Sequence, residues 1–138
     1  MKSIDVYLTF NGNCREAMEF YKSCFGGELY TMKFSEAPPE MKMPKEAKDR
    51  ILHSKLTVGS VELMASDNMP GLEFRQGNNF SVCVECSTRE EQDMHVAAIS
   101  RGGKVTMPLQ DTFWGARFGM VTDKFGINWM FSLERPKK

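Results

Sequence analysis

Ile4-Asp5-Val6-Tyr7-Leu8-Thr9-Phe10 alternates apolar and polar positions, the period of a half-buried strand. A helix is predicted from Asn13 to Phe25, because Ala17, Phe20, Tyr21 and Cys24 recur at i, i+3, i+4 and i+7 and make one apolar face. Asn13 with Glu16 is a capping pair at its start, and Gly26-Gly27 ends it. Three further strands are predicted at about residues 29–34, 51–58 and 61–66.

The same order then returns. Phe80-Ser81-Val82-Cys83-Val84 reads as a strand, Thr88 and Glu91 as a second capping pair, and Ala97, Ala98 and Ile99 lie in a second helix that stops at Gly102-Gly103. Tyr30-Thr31-Met32 after the first glycine pair matches Val105-Thr106-Met107 after the second, and Leu63-Met64-Ala65-Ser66 matches Trp129-Met130-Phe131-Ser132. The offset falls from 75 to 66 residues between these two matches, which places nine extra residues within Ser35 to Arg50 of the first half. That stretch carries Pro38, Pro39 and Pro44 and reads as a lid or a disordered segment. Each half is therefore strand–helix–strand–strand–strand: residues 1–66, a linker at 67–79, and residues 80–138, together one functional domain of class α+β. The later strands of the second half are expected near 104–109, 117–122 and 127–133.

Eighteen basic residues balance eighteen acidic ones, which argues against nucleic acid as a partner and against a polybasic membrane patch. No apolar run approaches the roughly 20 residues that span a bilayer, and Met1-Lys2-Ser3-Ile4-Asp5 lacks a secretory h-region, so a cytoplasmic location is expected. The four cysteines are expected as free thiols there. Cys14 and Cys24 are about 15 Å apart along one helix, and Cys83 and Cys86 of the C-x-x-C sequence point to opposite faces of a strand.

The order and spacing of several short segments resemble the vicinal oxygen chelate superfamily, also called the glyoxalase/bleomycin-resistance/dioxygenase fold. They are Tyr7 to Cys14, Glu16-Ala17, Phe20-Tyr21-Lys22 and Phe25-Gly26-Gly27, then Gly102-Gly103, Met107-Pro108-Leu109, Trp114-Gly115, Arg117-Phe118-Gly119 and Asp123 to Gly126 with Trp129. More narrowly the chain is similar to the PhnB-like branch, described as 3-demethylubiquinone-9 3-methyltransferase-like. The resemblance implies two βαβββ modules whose mixed sheets curl around a central cavity. It says little of the reaction, since one fold hosts many functions.

Metal-using members of the superfamily take His, Glu or Gln ligands from the first and last strands of each module. With Val6, Leu8 and Phe10 under the helix, strand parity puts Tyr7 and Met64 at those positions in the first module, and Cys83 and Met130 in the second. None is a usual ligand for a hard divalent ion, so no metal and no other cofactor is expected. Two alternatives stay open: a strand slip that brings Asp5, Glu62 and Glu85 forward, or a soft Cu(I) site of Cys83, Met64 and Met130. The plainer reading of the methionines is flexible packing. His53 shares parity with Lys55 and Thr57 and is either a general base or a hydrogen-bonded structural residue, whereas His95 reads as solvent-facing on the second helix. Trp114, on a loop beside Gly115, is either the lip of a pocket or an anchor for that loop. No Gly-rich phosphate loop, G-x-S-x-G elbow or Ser-His-Asp set stands out.

The expected function is binding of a small apolar or aromatic molecule in a central cavity lined by Tyr7, His53, Met64, Cys83, Trp114 and Met130. The alternative is a lyase or isomerase, a dioxygenase or a methyltransferase-like enzyme. A homodimer is expected.

Overall fold

The computed structural model describes residues 1–136. The chain divides into two units, Met1–Arg75 and a second that begins at Gln76. The first contains β1 (Tyr7–Phe10), α1 (Cys14–Phe25), β2 (Glu28–Lys33), β3 (Ile51–Val58) and β4 (Val61–Asp67). The second contains β5 (Val82–Glu85), α2 (Arg89–Ile99), β6 (Lys104–Asp111), β7 (Ala116–Thr122) and β8 (Asn128–Glu134). The strand orders are β1-β4-β3-β2 and β5-β8-β7-β6. In each sheet the first pair is parallel and the other two are antiparallel. Both units are thus βαβββ modules with mixed sheets.

The sheets differ from the curled form that the resemblance implied. Each is open, neither closed nor strongly curled, because no ladder joins β1 to β2 or β5 to β6. Four strands at about 4.8 Å spacing form a ribbon only about 14 Å across, whereas a closed barrel with a filled interior takes about eight. The first strand is also shorter than its alternation suggests. It starts at Tyr7, where pairing with Met64 to Asp67 begins, and Ile4 is 88% exposed.

In the first unit Leu8, Phe10, Leu56, Leu63 and Ala65 are buried on the face that meets α1, which contributes Ala17, Met18 and Tyr21. The start of α1 is capped from a distance. The Asn13 side chain makes no capping bond; Asp67 Oδ1 accepts from the amides of Gly12 (2.9 Å) and Cys14 (3.0 Å) instead. In the second unit the local pair holds, with Thr88 Oγ1 accepting from Glu91 N at 3.1 Å. There α2 docks through a buried amide: Gln92 Nε2 donates to the carbonyls of Arg117 and Phe131, and Gln92 Oε1 accepts from Arg117 Nη1 at 3.0 Å. Arg117 Nη2 also meets Asp93 at 2.8 Å.

The proline-rich stretch between β2 and β3 is tied down rather than free. Phe34 and Ala47 are buried in two short 3-10 turns, and Ser35 N donates to Lys48 O at 3.1 Å. Arg50 clasps Asn68 and Asn11.

Candidate functional site

With one helix on one face of each sheet, strand alternation leaves the opposite face open. Cross-strand partners identify what stands on it. In the first unit Tyr7, Met64, Lys55 and Tyr30 form one row across all four strands, since each is the register partner of the next. Tyr7 is 47% exposed, and its ring lies over that of His53 with centroids 5.7 Å apart and planes 21° apart. The Tyr7 hydroxyl reaches His53 Nδ1 at 3.0 Å. Beside them Lys55 Nζ lies 3.8 Å from Glu62 Oε2. Tyr7, His53 and Met64 thus share one face of the first sheet.

In the second unit Cys83 pairs with Met130, Met130 with Met120, and Met120 with Met107. Helix α2 lies on the other face, as the bonds of Gln92 to Arg117 and Phe131 show. Phe118, two residues from Met120 on the same strand face, is only 7% exposed, and Trp114 sits edge-on to it at 5.9 Å. Trp114 itself is 58% exposed and also meets Phe113 edge-on at 5.1 Å. Cys83, Trp114 and Met130 therefore gather on the open side of the second sheet. Desolvation of the Cys83 thiol, with the Glu85 carboxylate adding to it, raises its pKa above the ordinary value. Cys83 Sγ lies 3.8 Å from Glu85 Oε1.

The residues that sequence reasoning passed over on these faces are Tyr30, Met107, Phe118 and Met120. Parity within the last antiparallel strands carried the signal for Phe118 and Met120. For Met107 it was blurred by two register shifts in β6. His95 is not solvent-facing as expected. Its side chain is 13% exposed, with Nε2 4.0 Å from Glu91 Oε1.

The superfamily's divalent metal does not fit the donors at these positions. The phenol of Tyr7 is engaged by His53, Met64 and Met130 offer thioethers, and Glu62 is held by Lys55. Among the described residues no three His, Cys, Asp or Glu side chains converge as a metal cluster. A phosphate-bearing cofactor at the start of α1 fits no better, because the amides of Gly12 and Cys14 are already taken by Asp67. A groove of about 480 Å³ beside that turn is lined by Arg15, Glu16, Lys33, Asp49 and Asp67 among others, and by none of the six residues expected at the site.

Paired βαβββ modules with one helix against each sheet define the vicinal oxygen chelate class. A glyoxalase/bleomycin resistance/dioxygenase family protein of Burkholderia phytofirmans shares this fold at TM-score 0.64 and 16% identity, over 95% of this chain and 99% of that one. A family profile described as 3-demethylubiquinone-9 3-methyltransferase matches residues 2–132, and the chain belongs to that family, within the PhnB-like branch of the superfamily. It is 32% identical to protein YjdN of Escherichia coli K12, over 92% of each chain. The crystal structure of protein PA1353 from Pseudomonas aeruginosa superposes with TM-score 0.84 at 40% identity, covering 97% of this chain and all of that one. A Bacillus cereus PhnB protein gives TM-score 0.74 at 27% identity, over 96% and 99% of the two chains.

Proposed function

We propose that this protein binds a small apolar or aromatic molecule on the open face of its first sheet, without the superfamily metal. The observation that carries the reading is the Tyr7–His53 pair, stacked and hydrogen-bonded on a half-exposed face beside Met64 and the Lys55–Glu62 pair. If the Tyr7 hydroxyl donates to Nδ1, the ring proton of His53 resides on Nε2, a donor suited to a hydroxyl, carbonyl or carboxylate oxygen of the ligand. Met64, the register partner of Tyr7, supplies a polarizable surface for a ring. The same pair supports a second reading, a lyase or isomerase in which His53 carries a proton. Methyl transfer has less support, because the strand-to-helix turn that would cradle a cofactor is filled by Asp67.

Native mass spectrometry of freshly purified protein tests the reading, followed by titration with phenols and naphthols monitored through backbone amide shifts. Shifts should cluster at Tyr7, His53 and Met64, and His53→Ala should abolish them. Absence of any organic adduct, together with no saturable shift on this face, would overturn it.

A further inference from the structure

Besides Cys86 and Met94, the second half of the chain carries sulfur at positions 83, 107, 120 and 130, which stand far apart in the sequence. The sheet register brings the four together. Cys83 on β5 is the partner of Met130 on β8, Met130 of Met120 on β7, and Met120 of Met107 on β6. Partners across a ladder point to the same face, so Cys83, Met130 and Met120 form one transverse row at about 4.8 Å steps, and Met107, between two register shifts of β6, is the partner of Met120 at its end. The row lies on the face away from α2, and all four residues retain access to solvent: Cys83 is exposed, the three methionines half-exposed. The corresponding row of the first sheet, Tyr7–Met64–Lys55–Tyr30, holds a single sulfur. Packing alone therefore does not demand sulfur at this place in the module.

We propose that Cys83, Met130 and Met120, with Met107 beside them, bind one soft monovalent metal ion of the Cu(I) class on the open face of the second sheet. One thiolate and two or three thioethers form a donor set that selects Cu(I) and discriminates against zinc and the harder divalent ions. Methionine is unbranched with three rotatable bonds, so thioethers on neighbouring strands can converge on an ion beside the shorter Cys83. On binding, the Cys83 S–H bond breaks and an S–Cu bond forms. The proton leaves to solvent by way of the Glu85 carboxylate, 3.8 Å from Sγ, and copper stays in its monovalent state throughout. The same carboxylate adds a negative charge beside the cation. This inference stands on the second sheet and is independent of the ligand proposed for the first.

The test is an anaerobic titration of the full chain against Cu(I) held by bicinchoninate, read from loss of the chelate's colour. The wild-type protein should withdraw one equivalent and leave Zn²⁺ unbound. Cys83→Ala should weaken retention by at least about tenfold, and Met130→Leu and Met120→Leu by several-fold each. Met94→Leu, on the exposed side of α2, should match wild type. The leucine variants conserve side-chain volume and remove only the sulfur, so they decide the matter even if Cys83→Ala folds poorly. A wild-type protein that leaves all Cu(I) with bicinchoninate would overturn the proposal. So would leucine variants that retain copper as well as wild type, which would reduce the site to a bare thiol.

Discussion

Burial drives the Cys14 thiol from an ordinary 9.0 up to about 12; the Ser54 hydroxyl opposes this and the Asp67 carboxylate adds to it. Cys86 rises to about 11, again through burial first, with the carboxylates of Glu91 and Glu85 behind it. Both thiols are therefore neutral in the folded chain well above the pH at which they ionise in the unfolded one. Between about pH 9 and pH 12 the native state holds protons that the unfolded state has released, so stability is full below 9 and falls as pH rises. Denaturant melts from pH 8 to 11 should show this decline, and Cys14→Ala should make it shallower while lowering the plateau through the small void it leaves. Parallel slopes in the two proteins would refute the burial argument for Cys14. At the same scale, the side-chain environments that matter most were hidden from the sequence. Nothing local marks Tyr7 as the partner of His53, because the bond spans 46 positions and forms only when β1 and β3 flank β4.

Asp67 shows how elements are joined. Its Oδ1 caps α1 and its Oδ2 accepts from Ile51 N at 2.8 Å, so one buried carboxylate fastens the end of β4 to the starts of α1 and β3. Asp67→Ala should leave the buried amides of Cys14 and Ile51 and the part-buried amide of Gly12 without their acceptor and cost about 3 kcal/mol, with Asp67→Asn costing less because one acceptor survives. Equilibrium denaturation measures both, and a loss below about 1 kcal/mol for the alanine variant would show that water replaces the carboxylate. The elements themselves were legible. Alternation marked the first strand and the i, i+3, i+4 spacing the first helix, because burial on one face writes directly into the sequence, and the internal repeat with its capping pair and glycine pairs extended the reading to the other strands and the second helix. Both Gly-Gly pairs were legible for a physical reason too. Gly27 has φ of +90°, and a Cβ there would strike the carbonyl of Thr57; one at Gly103 would strike that of Thr122. The cap of α1 was not legible, because Asn13 and Glu16 offer a plausible local pair while the real acceptor lies 53 residues beyond Cys14. Linker composition likewise concealed that Asp67 is core.

For the whole molecule, the internal repeat was the strongest sequence signal, and it yields the two modules and their mixed sheets. What it could not yield was how far each sheet bends, since curvature depends on strand number and register rather than on alternation. The openness of the sheets bears on assembly. Each has two edge strands, β1 and β2 in one and β5 and β6 in the other, and an edge exposes a line of backbone donors and acceptors. Large apolar side chains are also exposed on the chain, among them Ile4, Phe80, Phe113 and Trp114. A soluble monomer rarely leaves both kinds of surface uncovered. The formal net charge of zero removes the long-range repulsion that would keep copies apart. A homodimer is therefore expected at micromolar concentration, with sedimentation equilibrium returning twice the chain mass of 15.7 kDa. Charged substitutions at exposed apolar positions, Phe80→Glu and Phe113→Glu, should shift the equilibrium toward single chains without lowering the melting temperature of the separated chain. A single species of chain mass for the wild-type protein across the micromolar range would rule the dimer out. It would mean that these edges and aromatics are tolerated in water as they stand.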